Sequence, residues 1–302
     1  MPRMRSALRN HLHFMAVVSI LVVAMTWPTM AHVFDASVFW LPIDSGDIWI
    51  KFWDVWYGKL IISGQAEFYF TDLSFYPDGL SLTYHIFTIP HMIVFGSLQF
   101  FMPASNAYNL TYLFIIFSTA LSAYTYLLYL IKDKWVSLFG AVIFGFSGYI
   151  VGRPPHPGET FLITLPLALY FFHRALLEKR WLFIGISGIL IGATAFIGIY
   201  AFVCLLMTLG AYILYFAISR WRNRHFWLMI VFLLAIIGSI SIIRIYPMLD
   251  KTQDLEGILD KRGGQEQEND LLQYFINYEN PIVNRLITNR ITTSVIKLAN
   301  PG

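Results

Sequence analysis

Apolar residues fall in long blocks separated by short polar connectors. The blocks run from Phe14 to about Thr29, Ile86 to Pro103, Ala107 to Ile131, Val136 to Val151, Phe161 to Leu177, Trp181 to Ile199, Tyr200 to Ile218 and Phe226 to Leu249. A helix needs about 20 mostly apolar residues to cross a bilayer, so the pattern predicts an all-α, polytopic transmembrane bundle. One stretch between the first two blocks differs. From Trp49, apolar side chains recur at Phe52, Trp53, Trp56 and Leu60, the spacing of one helix face, while Lys51 and Asp54 fall opposite. This predicts an interfacial amphipathic helix lying on the bilayer surface, its indoles at headgroup level and its charged face toward water.

The connectors set the orientation. Lys132-Asp-Lys134, Glu178-Lys-Arg180 and Arg220-Trp-Arg-Asn-Arg-His225 are basic, and Arg3, Arg5 and Arg9 precede the first block. Positive charge in short loops marks the cytoplasmic side, so the N-terminus is expected inside. Simple alternation through eight crossings puts the three later connectors outside. The conflict disappears if Ile86 to Pro103, interrupted by Pro90 and His91, is only a partial segment. The expectation is therefore about seven spans plus one partial segment. The first loop (34–85), the turn Gly152 to Thr160 and the polar tail (250–302) then face outward together. Thr29-Met-Ala31 also loosely fits a signal-peptide cleavage site, the rival reading of the first block. The tail alternates acids with Lys and Arg and shows no compact domain, and the chain reads as truncated before further spans.

Composition agrees with a membrane protein: 57% hydrophobic and 13% charged residues, with a mean hydropathy of +0.60, about half the charge of a soluble domain. A lone cysteine, Cys204, excludes an intrachain disulfide. The cations sit between apolar runs, so no nucleic-acid face is expected. Phosphate-loop, dinucleotide, zinc and nucleophile-elbow motifs are not seen in the sequence.

Candidate chemistry lies in the polar clusters. Asp44 and Asp47 open the aromatic helix and can serve as a general base, or as oxygen ligands for a divalent cation such as Mg or Mn. An acid directly before a helix is equally a normal N-cap. Asp54, Asp72 and Asp78 carry a weaker signal, and Phe75-Tyr-Pro-Asp-Gly79 reads as a turn. Arg153, His156 and Glu159 sit in a turn stiffened by three prolines, a rigid frame for substrate contacts, although prolines also simply end helices. Arg244 lies near the outer end of an apolar run, where a guanidinium either snorkels or meets an anion such as phosphate. His173, Arg174 and Arg180 read as span-end anchors.

The order of features resembles the GT-C superfamily of membrane glycosyltransferases. Gly46-Asp47, the Trp-rich helix, Phe75-Tyr-Pro-Asp-Gly79, His85 with Pro90, Phe144-Gly-Phe-Ser-Gly-Tyr149 before a His-bearing turn, and Asp270-Leu-Leu-Gln-Tyr-Phe275 look like bacterial multispan proteins related to glycosyltransferase family 39 or of the YfhO type. The resemblance covers nearly the whole chain. It implies transfer of a sugar from a polyprenyl-phosphate donor to a glycan, lipid or protein acceptor, on the outer face of a bacterial inner membrane, in service of the cell envelope. It gives Asp47 the role of base, with Asp44 as helper. Arg153, His156, Glu159, Arg244, Trp49 and His85 would contact substrate. The second outer loop departs from the paired acids of oligosaccharyltransferase subunits, so no cofactor is required by the resemblance. The alternatives are a non-catalytic protein that binds or moves lipid-linked glycan, and a secondary transporter. The latter usually shows paired broken spans and midplane charges, and the only broken segment expected here is the one at Pro90.

Overall fold

The computed structural model describes residues 2–27, 29–34, 46–74, 76–85, 87–151 and 161–250. The chain divides into two units, Met1–Lys251 and Thr252–Gly302, and the second lies outside the described residues. The first is mostly helical. Its helices are α1 (Pro2–Thr26), α2 (Gly46–Ile62), α3 (Ile89–Leu98), α4 (Ala104–Ile131), α5 (Lys134–Gly145), α6 (Gly148–Val151), α7 (Thr164–Glu178), α8 (Trp181–Thr194), α9 (Ile199–Arg220) and α10 (Arg224–Asp250). A short antiparallel hairpin pairs β1 (Phe70–Thr71) with β2 (Leu80–Ser81), with Phe70 opposite Ser81.

Helix lengths sort the apolar blocks. Helices α4, α9 and α10 are long and apolar enough to cross a membrane. Helices α7 and α8, with 15 and 14 residues, reach only about 21–22 Å at 1.5 Å per residue, against a hydrocarbon core of about 30 Å. The block at 136–151 is broken at Phe146-Ser147 into α5 and α6. Against the expected count of about seven crossings, three of the described helices are of full length and the other apolar ones are shorter. Pro90 does not interrupt α3. It sits in the first turn after Thr88, where a missing N–H costs no hydrogen bond and the fixed φ suits helix entry.

The basic connectors owe their brevity to local chemistry. Lys132 ends α4 in the left-handed region at φ 61°. The next residue, Asp133, accepts from the N–H groups of Trp135 and Val136 at 2.8 and 3.0 Å, capping α5. Lys179 ends α7 in the same way at φ 54°.

Packing falls into three zones. One core joins α7, α8, α9 and α10 through Phe172, Ile184, Leu205 and Leu233. A second joins α1, α4 and α5 through Phe14, Ile116, Tyr124 and Ala141, with the Phe14 and Tyr124 rings stacked at 4.5 Å. Apolar helices in lipid gain little from hydrophobic burial against one another, so close approach over small residues matters more. Gly188 and Gly192 lie one turn apart on α8, and a Cβ at Gly192 would come within 2.8 Å of Ile240 Cβ on α10. The outward faces of α9 and α10 remain apolar: Ile218 is 81% exposed and Val231 64%.

The third zone is α2 against α3 and α4. Gly58 and Gly96 meet where α2 crosses α3, and a Cβ on Gly96 would lie 2.9 Å from the Gly58 carbonyl carbon. Gln99 Nε2 donates to Val55 O at 2.5 Å. This contact fixes the rotation of α2, and the rotation differs from the sequence expectation. Lys51 and Asp54, expected on the wet face, are buried at 8% and 1% exposure, while Trp49 and Trp56 point outward at 53% and 37%. The helix hides this ion pair and shows two of its three indoles. That arrangement is favourable when the surroundings are apolar and only the protein interior offers polar partners.

A candidate site on the inward face of α2

The site is built from three chain segments. Helix α2 supplies Lys51 and Asp54, which are neighbours on a helix surface at i,i+3. Lys51 Nζ donates to Asp54 Oδ2 at 3.0 Å. The loop between β2 and α3 supplies His85, whose Nε2 lies 2.6 Å from Asp54 Oδ1. An ionised carboxylate can only accept, so Nε2 carries the hydrogen and Nδ1 faces away from the acid. Asp54 is almost fully enclosed, but the His85 side chain is 23% exposed. The imidazole therefore links a buried acid to the surface.

Aromatic rings and carbonyl contacts fix the imidazole. Trp53 meets it edge-on at 5.6 Å and Phe87 at 4.4 Å. Trp53 in turn stacks on Tyr57 at 4.4 Å. Tyr57 Oη lies 2.8 and 2.9 Å from the carbonyl oxygens of Glu67 and Phe70, so its single hydrogen is shared between them and α2 is tied to the hairpin. Burial raises the Tyr57 phenol above its ordinary pKa of 10, which keeps it a donor. Gly79 closes the hairpin turn at φ 73°, a conformation that suits glycine.

Arg244 anchors the loop from the other side. It is 3% exposed and donates from Nη1 to Thr83 O at 3.3 Å and from Nη2 to His85 O at 3.0 Å. A buried guanidinium near the end of α10 thus meets backbone carbonyls of the first loop instead of snorkelling to water, satisfying its charge with oxygen dipoles. Tyr84 Oη donates to Met248 O at 2.6 Å, a second tie between the same segments. Next to the ion cluster, His91 on α3 is 3% exposed and its Nε2 finds no hydrogen-bond partner among the described residues.

Of the residues expected from sequence, His85 and Arg244 come together here. Trp49 does not join them: it is exposed, edge-on to Phe52 at 6.2 Å. The backbone of Asp47 lies in the first turn of α2, which begins at Gly46. Seven residues, two helical turns, separate it from Asp54 along α2. The Asp47 side chain, together with Asp44, Arg153, His156 and Glu159, lies outside the described residues.

The residues that sequence reasoning undervalued are Asp54 and Lys51. The available signal was their opposite charge at i,i+3 in a helix otherwise made of indoles and aliphatics. The donor set does not suit a divalent cation, because an ammonium rather than further oxygen ligands stands beside the carboxylate. No group of three or more His, Cys, Asp or Glu with metal-binding geometry occurs among the described residues. No family model matches this chain, and no curated protein or solved structure matches it significantly.

Proposed function

We propose that this chain is a membrane glycosyltransferase-like protein that moves a sugar from a polyprenyl-phosphate donor to an acceptor hydroxyl at the extracytoplasmic face of a bacterial inner membrane. Its N-terminus faces the cytoplasm, and about seven segments cross with α3 as the partial one. The observation that carries the reading is the Lys51–Asp54–His85 cluster, turned inward on the first-loop helix and tied by Arg244 to the far end of a full-length span.

Each residue has a definable task. Asp47, in the role that the GT-C resemblance gives it, takes the proton from the acceptor hydroxyl, whose oxygen attacks the anomeric carbon of the donor sugar. The bond between that carbon and the phosphate oxygen breaks, and the lipid phosphate leaves with the electron pair. His85 is held through Nε2 by Asp54 and, in its protonated form, offers Nδ1–H to that phosphate. Asp54 is a positioning residue: it fixes the ring and stabilises the imidazolium. With the imidazole protonated, Lys51, Asp54 and His85 together carry one net positive charge, matched to a singly charged phosphodiester in a low-dielectric site.

The test is transfer of a radiolabelled sugar from polyprenyl phosphate in proteoliposomes. Wild-type protein should transfer, and Asp47→Asn should lose about 10²–10⁴-fold while still accumulating in the membrane. Full activity in Asp47→Asn would remove Asp47 as the base. Donor-lipid binding with no transfer by wild type under any acceptor would favour the non-catalytic binder.

A further inference from the structure

A second polar site lies at the opposite end of α10. Nineteen residues separate His225 from Arg244, about 29 Å along a helix, which is close to the thickness of the hydrocarbon core. At that end a cavity of about 270 Å³ opens between the α7–α8 turn and the α9–α10 turn, lined by Lys179, Arg220, Asn223 and His225 over a floor of Leu176 and Phe226. Its size falls just under the ~300 Å³ at which small-molecule pockets begin, so it suits a compact group.

The polar lining has donors to spare. Arg220 uses Nη1 on Leu176 O at 3.1 Å, and no other hydrogen bond of its guanidinium is present among the described residues. Lys179, held in its left-handed turn, makes no ion pair there. His225 Nε2 is buried without a hydrogen-bond partner among the described residues, and the ring is fixed by the Trp181 edge at 5.3 Å. A buried ring nitrogen without a partner is uncommon and calls for a ligand or an ordered water. The flanking segments 174–180 and 220–225 carry six fixed cations against one carboxylate. That carboxylate, Glu178, is engaged by both ends of the Arg174 guanidinium at 2.7 and 3.3 Å. The positive end of the α10 dipole adds to the same field.

We infer that this cavity binds the phosphate of an anionic phospholipid headgroup. The lipid source follows from the surroundings. Trp181, Trp221 and Trp227 are exposed around the cavity, and Trp227 Nε1 donates to Trp221 O at 2.8 Å. Indoles concentrate at headgroup depth, and basic pockets between spans are where anionic headgroups dock. The inference does not depend on sugar transfer.

The experiment is native mass spectrometry and thermal melting of the purified full chain, titrated with phosphatidylglycerol, phosphatidylcholine or inorganic phosphate. Wild type should retain phosphatidylglycerol and melt higher with it, and phosphatidylcholine should do neither. The double variant Lys179→Asn/His225→Gln should weaken retention about tenfold, with Asn chosen because it tolerates the left-handed backbone. If that variant melts below wild type in phosphatidylcholine, competition on wild type decides instead: phosphatidylglycerol should remain bound in 10 mM phosphate, on the order of a loosely held soluble anion. Equal retention of both lipids, equal phosphatidylglycerol retention by a well-folded variant, or displacement by inorganic phosphate would overturn the inference, the last by making the ligand a soluble anion.

Discussion

Asp54→Ala is expected to lower the stability of the protein by about 3–5 kcal/mol, the range seen when one partner is removed from a buried ion pair. The size of the effect comes from what is left behind. Lys51 and the inner nitrogen of His85 are both arranged around this one carboxylate, in a place where water does not replace it: Asp54 is 1% exposed. Asp54→Asn keeps the shape and an acceptor oxygen but not the charge, so a smaller loss is expected, about 1–2 kcal/mol. Asp133→Ala, which removes an exposed helix cap on α5, provides a scale of about 1 kcal/mol. Unfolding in a fixed detergent measures all three. An Asp54→Ala loss no larger than that of Asp133→Ala would show that the charges on α2 face solvent instead of the interior.

His85→Gln should cut sugar transfer by about 10²–10³-fold, the usual consequence of removing one donor from a site where negative charge develops. Glutamine can still reach Asp54 and is neutral, so the fold should survive while the charge offered to the leaving phosphate is lost. The kinetic signature separates the two roles. If His85 acts mainly on the departing phosphate, kcat and kcat/KM fall together with KM nearly unchanged. If the imidazole only supports the loop, activity follows the folded fraction and kcat per folded molecule is preserved. Arg244 is the reference for that second behaviour, because it donates to the loop carbonyls of Thr83 and His85.

Much of the helical layout was legible in the apolar blocks. The block Ala107 to Ile131 became α4, and Phe226 to Leu249 became α10, each within a few residues, because a membrane-length apolar run has few alternatives to a helix. The break at Phe146-Ser147 was not anticipated, since nothing in that run is a strong helix breaker except its glycines. The rotation of α2 was missed for a different reason. Periodicity separates two faces of a helix without saying which is wet, and an interfacial helix turns its charged face toward water. In apolar surroundings the preference reverses. That error also hid the site: Asp54 and His85 are 31 residues apart, and Arg244 is 159 residues from His85. Sequence spacing carries no trace of pairings so distant.

For the site on α2 to meet its substrate, the first loop must face outward, with the basic connectors on the opposite face of the membrane. In a Cys204→Ala background, which removes the one exposed native thiol, single cysteines at Asp78 and Asn223 probe the two ends at exposed positions. A membrane-impermeant maleimide applied to intact cells should label the cysteine at position 78 and reach the one at 223 only after permeabilisation. Labelling of both from outside, or of position 223 alone, would contradict an outward-facing transfer site on α2.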